Sequence, residues 1–513
     1  MAFSFVDYIV IVVYLLAVAG LGTWIAGRQS STSDYFLGNR DIPWWAVLFS
    51  VVATETSTLT FISIPAVSYG GNLTFLQITF GYIVGRILVS IFLLPKYIEG
   101  NLSTAYQFLG ERFGASMRNA ASSTFMVTRL LADGVRLFAT AIPLAVMLRL
   151  GGAFGNWPDL DVYFLAISVI AVITVLYTLI GGIKAVVWMD VMQMAVYIGG
   201  ALLAVGIIIA QLPHGFSGAF HSARQAGKLH LIDFGFNMNF SDFIAQPYTF
   251  FTALIGGGVF SIASHGTDQL MVQRLLTTRN LKDSQKALIG SGFIVALQFA
   301  LFLTIGLLLY AFYNGQSAQA LGLATTDEIF AKFIVQQLPV GLSGLVVASL
   351  FAAAMSSLSS SLNSLASATT LDLYKPYFGK GNTKTEDLKI SRIFTFIWAV
   401  ILTGSAFFFA VLQLKAGKRP AVVVLGLSIA SYTYGGLLGA FLLGRLFSKP
   451  DKTDAMIGFF AGLISLLFMV KGPIQQMLPG NGLPIAWPLY TVVGGAIVIA
   501  VGNLSQWTRK IRR

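Results

Sequence analysis

Residues 352–364 read Ala-Ala-Ala-Met-Ser-Ser-Leu-Ser-Ser-Ser-Leu-Asn-Ser, inside an apolar stretch running from about Gly341 to Leu371. With about 100° per helical residue, Ser356, Ser357, Ser359, Ser360 and Asn363 fall on less than half of the helix circumference. Such an oxygen-rich stripe suits a small hard cation. Its alanine and serine content also suits close packing of helices, and spacing alone leaves both readings open. A second group carries charge. Arg129, Asp133 and Arg136 follow i, i+4, i+7 spacing and share one helix face. Asp133 neutralises only one arginine, so the other guanidinium either grips a carboxylate in a bidentate pair or is completed by Glu55 or another acid. Asp190 sits early in its helix with Gln193 and Tyr197 on the same face, while Glu55 and Arg86 stand in other apolar segments. An ionisable group at mid-membrane costs about 2.5–3.5 kcal/mol, so each of these needs a partner or a function. The four histidines, His214, His221, His230 and His265, form no metal or nucleophile set: three lie in one loop and the fourth stands apart. The reading is of a chain that is not an enzyme.

The elements that must position these residues are membrane helices. The chain has 513 residues, 56% hydrophobic and 11% charged, with mean hydropathy +0.76; soluble proteins are about 25% charged. Apolar runs recur from end to end and predict an all-α integral membrane protein. Thirteen spans are predicted, at about 5–27, 43–69, 73–95, 119–148, 161–180, 185–211, 247–273, 286–313, 341–371, 389–412, 421–444, 455–470 and 485–503. The first, with Asp7 near its start and no cleavage motif after it, reads as a retained span. Of 33 lysines and arginines, twenty-two fall on one side and eight on the other, which predicts an outside N-terminus and a cytoplasmic C-terminus. The net charge of +12 is thus topology rather than nucleic-acid binding. There is no cysteine, and no stretch is long enough for a soluble domain.

Two spans carry interruptions, at Ala53–Thr58 in one and at Gly256–Gly258 and Ser264–Gly266 in another five spans later. Paired broken helices point to an inverted-repeat transporter with its site at the breaks. The predicted organisation is an extra N-terminal helix and loop at 1–42, repeat one at 43–211, an outer loop at 212–246, repeat two at 247–445, and C-terminal helices with a basic tail at 446–513. Short surface helices are expected in the outer stretches 212–246 and 314–340.

Tyr177-Thr178-Leu179-Ile180-Gly181-Gly182-Ile183-Lys184-Ala185, followed by Trp188-Met189-Asp190-Val191-Met192-Gln193, resembles the signature of the sodium:solute symporter family. So do Gly266-Thr267-Asp268-Gln269 leading to Val272-Gln273-Arg274, Trp44-Trp45-Ala46-Val47, and the serine stripe itself. The resemblance covers about residues 1–445 and implies a LeuT-type fold of ten core helices in two inverted repeats. It also implies inward transport of sodium with an organic solute or anion. Matched motif to motif, the general sodium site falls on Ala53, Thr56, Ala353, Ser356 and Ser357, and a second site found in some members on Asp190, Ser356, Ser359 and Ser360. The solute pocket falls on Glu55, Ser57, Thr58, Thr60, Gln77, Thr79, Ser261 and His265. Sialic-acid members use a membrane arginine for the substrate carboxylate, a part open to Arg129 or Arg136.

The chain departs from the sugar transporters, with Leu59-Thr60 in place of an acid–glutamine pair and Ser264 in place of a gating tyrosine. Thr104–Leu109 and the Ile64-Pro65…Tyr69-Gly70 stretch look more like the monocarboxylate, multivitamin and iodide branch. The expectation is a symporter of the cell membrane that imports a small organic anion with sodium. The alternatives are a neutral or zwitterionic solute (sugar, amino acid, sialic acid) and an ion channel. Its expected partners are the solute, the co-transported sodium ion and membrane lipid, with no nucleic acid and no obligate protein.

Overall fold

The computed structural model describes residues 4–25, 27, 29–150, 154, 156–323, 325–416, 422–470 and 482–511, and leaves the side chains of residues 150, 413–416 and 422–428 undescribed. It is built of helices, with no strand among the described residues. The principal ones are α1 (Phe5–Ile25), α2 (Trp44–Glu55), α3 (Thr58–Gly70), α4 (Ile78–Phe92), α5 (Ala115–Leu150), α6 (Asp159–Gln211), α7 (Gly215–Gln225), α8 (Gly257–Gly266), α9 (Gln269–Leu275), α10 (Leu281–Phe312), α11 (Glu328–Gln337), α12 (Leu342–Ala368), α13 (Lys384–Ala416), α14 (Val422–Leu446), α15 (Lys452–Met469) and α16 (Tyr490–Ile511). Among the described residues nine helices are long and apolar enough to cross a membrane, ten when the bent α2–α3 pair is taken as one span.

Helix α1 shows the pattern of a lipid-facing span. It is apolar all round, yet only Asp7, Ile11, Leu15, Val18 and Gly22 are buried, a single stripe at helical spacing. At its start Asp7 Oδ1 accepts hydrogen bonds from Gly341 N and Gly344 N, both 2.8 Å, and so caps the beginning of α12.

The first predicted interruption narrows to Thr56–Ser57, where α2 and α3 meet at 65°. The residues Ala53-Thr54-Glu55-Thr56-Ser57-Thr58 are poor helix formers that favour caps. Ser57 takes the N-cap of α3, and its N–H donates to Thr60 Oγ1 (3.3 Å). In a continuous helix that N–H would serve the Ala53 carbonyl, so the break diverts the usual partner of Ala53 O. The second broken helix differs from expectation in detail. Thr252–Gly256 forms a wide π-helical turn instead of a gap at Gly256–Gly258, and the true break lies at Thr267–Asp268, just past the expected Ser264–Gly266. Asp268 fixes it there, because its carboxylate accepts from Leu270 N (2.8 Å) and caps α9.

Helix α6 runs for 53 residues. At 1.5 Å per residue that is about 80 Å, over twice the thickness of a bilayer core. Gly182, at φ 55° and ψ −152°, divides it into two membrane-length halves, and its missing side chain lets Tyr35 approach. Helix α12 runs through the centre, and from Val346 to Ala368 only Ser357 is not fully buried. Of the short helices expected on the surface at 212–246 and 314–340, α11 is not a surface element. It buries Ile329, Phe330, Phe333 and Ile334, and Phe330 stacks on Phe61 of α3 with centroids 5.2 Å apart.

Candidate functional site

The break in α2–α3 faces the serine face of α12. Ala53, Thr56, Ala353 and Ser356 line a single small cavity of about 10 Å³ with Gln193, Met194, Tyr197 and Ala352. That is room for one water-sized sphere, which also suits a bare sodium ion. Ser357 approaches from the other side, its hydroxyl donating to the Thr56 carbonyl at 3.4 Å. The Thr56 hydroxyl is engaged with the Gln298 amide of α10 (2.7 and 3.0 Å), which leaves the backbone of the break to serve an ion.

Asp190 lies one step deeper and is fully buried. Its Oδ1 accepts from Ser356 Oγ (2.6 Å) and its Oδ2 from Ser50 Oγ (2.5 Å). The charge is met by Arg274 of α9, whose Nη2 lies 3.4 Å from Asp190 Oδ2 while its Nε donates to Ser50 Oγ (3.0 Å). Arg274 also donates to Ser360 Oγ, which in turn bonds the Ser356 carbonyl (2.7 Å) and Thr54 Oγ1 (3.0 Å). The Ser359 hydroxyl donates to the same carbonyl at 3.0 Å. The four residues of the second expected ion site are therefore contiguous, with Ser356 linking them to the first set. A guanidinium already sits against two of them.

Above the breaks lies a cavity of about 110 Å³. Of the expected solute residues, Glu55, Ser57, Thr60, Arg129, Arg136 and His265 line it. Four others face elsewhere. The Thr58 hydroxyl donates to Leu350 O (3.1 Å), Thr79 to Leu76 O (2.7 Å) and Ser261 to Tyr82 O (3.1 Å). Gln77 ties the start of α4 to the segment before the second broken helix through Tyr248 O (2.8 Å) and Asp233 N (3.1 Å). The sequence reading missed the aromatic walls, Phe75, Tyr82, Phe260, Phe299 and Tyr434, because aromatic residues in apolar spans carry no signal that separates a cavity wall from core.

The two arginines of α5 have different surroundings. Arg129 is 3% exposed, and its Nη2 pairs with Asp268 Oδ2 at 2.7 Å, the same oxygen that accepts from Tyr434 Oη (2.6 Å). It also donates to Tyr434 Oη and lies 3.4 Å from Asp133. The acid that completes the network is thus Asp268, at the second break, rather than Glu55. Arg136 keeps a 21% exposed side chain, makes no side-chain hydrogen bond to the described residues, and meets Asp133 only at 4.0 Å. Asp133 is itself occupied by Arg129 and by Ser361 Oγ (2.6 Å). Glu55 pairs with the fully buried Arg86, whose Nη1 donates to Ser291 Oγ (2.6 Å). Around the cavity, Arg86, Arg129 and Arg136 are matched in number by Glu55, Asp133 and Asp268.

A model of the sodium:solute symporter family matches residues 35–472. The sodium/sialic acid symporter NanT of Aliivibrio fischeri is 29% identical, over 98% of this chain and 93% of its own. The sodium-dependent multivitamin transporter of Oryctolagus cuniculus is 28% identical, over 94% of this chain and 72% of its own. A solved structure of a Na+-coupled sialic acid symporter, in a substrate-bound outward-open state with a novel Na+ site, aligns with TM-score 0.82 at 27% identity over 98% of both chains. Mhp1, a nucleobase-cation-symport-1 family transporter, aligns with TM-score 0.51 at 14% identity over 94% of this chain and 96% of its own, and shares the fold alone. The architecture is the LeuT-type one that the sequence motifs implied. With broken helices at its centre and that match across most of its length, the chain is a multi-pass, sodium-coupled transporter and belongs to the sodium:solute symporter family.

Proposed function

We propose that this chain imports a carboxylate-bearing solute of the sialic acid kind together with sodium. The observation that carries the reading is Arg136, a guanidinium on the cavity wall with no hydrogen bond to the described residues and only a 4.0 Å approach to a shared carboxylate. A carboxylate would take it bidentately. Arg129, already held by Asp268 and Tyr434, serves as a support for the second break instead of an anchor. The serine and threonine hydroxyls of Ser57 and Thr60 add polar contacts on the facing break. Two relatives carry sialic acid in their names, which moves the reading from a small organic anion of the monocarboxylate kind toward a sialic acid.

Sodium binds between the break and the serine helix, on the carbonyls of Ala53, Thr56 and Ala353 and the hydroxyls of Ser356 and Ser357. By joining α2 to α12 it fixes the wall against which the solute then docks, and alternating access follows by rocking of the repeats about this point. We place the N-terminus outside and the C-terminus in the cytoplasm of a cell membrane, on the distribution of lysine and arginine.

The test is uptake of labelled N-acetylneuraminate into proteoliposomes under a sodium or a potassium gradient, with biotin as a competing vitamin carboxylate. Uptake that needs sodium, and that Arg136→Gln lowers by ten-fold or more, supports the reading. Uptake indifferent to sodium, or preference for biotin over the sialic acid, overturns it.

A further inference from the structure

Resting on the carboxylate reading above, we propose that Glu55 and His265 form a hydroxyl-recognising end of the cavity, so that the transported acid bears a hydroxyl group remote from its carboxylate. His265 is 2% exposed, and its Nδ1 lies 2.9 Å from Ser264 Oγ. The single Ser264 proton has two acceptors in reach, Nδ1 at 2.9 Å and Ser261 O at 3.4 Å; given to the nearer one, it places the proton of the neutral ring on Nε2, toward Glu55. Nε2 is buried without a hydrogen-bond partner, 3.7 Å from Glu55 Oε2. That is too long for a direct hydrogen bond.

The gap is held open from both sides. Arg86 pairs with the same Glu55 oxygen and is itself tethered to Ser291 Oγ (2.6 Å), so the carboxylate cannot swing toward the imidazole without leaving its cation. His265 stands on the last turn of α8, next to the second break. One buried donor and one fixed acceptor thus face each other slightly too far apart. A hydroxyl answers both at once, because it accepts from Nε2–H and donates to the carboxylate. An ammonium cannot accept, and an ether or methyl group cannot donate. Both residues line the cavity that holds Arg136, so one solute can engage the guanidinium through its carboxylate and this pair through its hydroxyl.

The experiment measures binding of N-acetylneuraminate and of its single-deoxy analogues to the reconstituted wild-type chain in sodium. One analogue is expected to bind about 10- to 100-fold more weakly, the loss expected for a hydrogen bond to a charged group. In Glu55→Gln, and in His265→Phe, which leaves the Glu55–Arg86 pair intact, that discrimination shrinks to a few-fold while the same analogue keeps its wild-type affinity. All analogues binding within about three-fold of the parent would overturn the inference and leave the carboxylate reading standing. So would variants that weaken parent and analogue equally. Absence of sodium-dependent binding of the parent itself overturns the proposed function, and this inference with it. The wild-type series reads the outcome even where a variant does not fold.

Discussion

Asp190 and Arg274 are both fully buried, and each makes the other tolerable. A buried ion pair adds little net stability, but removing one partner leaves an uncompensated charge and costs about 3–5 kcal/mol. A sodium ion at the second site would compete with Arg274 for Asp190 and Ser360, so it should bind more weakly than the ion at the break. Arg274→Gln is therefore expected to lower Tm by several degrees in potassium and to gain more from sodium than the wild type does, because the freed carboxylate and serine hydroxyls then hold a further cation. A sodium-induced rise in Tm no larger than that of the wild type would assign Asp190 a purely structural role. This pair shows where sequence reasoning stops. Periodicity revealed Asp190 and the serines, since neighbours on one helix are spaced by geometry. It could not supply partners 84 and 139 residues away, Arg274 for Asp190 and Asp268 for Arg129, although both lay inside a motif already singled out. For that reason the α5 arginines read as leaving one charge over.

At the scale of elements, the breaks were legible and their exact form was not. Poor helix formers marked Ala53–Thr58, but the site of the turn was decided by which side chain capped the following helix, Ser57 in one case and Asp268 in the other. Glycine content suggested a gap at Gly256–Gly258, yet packing keeps that stretch helical with a wide turn before it. The polar stretch before α12 suggested a surface helix, whereas α11 buries its apolar face under Phe61. Helix α1 lies outside the predicted repeats but is bound to them through Asp7, which satisfies two N–H groups at the start of α12. Asp7→Ala should cost about 0.5–2 kcal/mol, the usual loss for an N-cap, seen as a lower Tm in detergent. Sodium dependence should be unaltered, because Asp7 stands far along α12 from Ser356. A shift in sodium affinity with unchanged Tm would show instead that the cap sets the position of the serine face.

For the whole molecule, orientation was read from charge alone and can be checked directly because the chain has no cysteine. Ala2→Cys should react with a membrane-impermeant thiol reagent on intact cells, and Lys510→Cys only after permeabilisation; the reverse pattern would invert the assignment. Three guanidinium groups balance three carboxylates around the cavity, and Arg274 balances Asp190 beneath it. With His265 neutral, the described charges around these two sites cancel. On the carboxylate reading proposed above, the charge moved in a transport cycle is then that of the cargo. One sodium with one monoanion crosses silently, and accumulation of the solute ignores the resting potential. A second sodium makes each cycle carry one charge, worth about 2.3 kcal/mol per 100 mV. The ratio of solute-evoked current to labelled uptake, near zero or near one charge per solute, therefore counts the sodium ions without any structure of them bound.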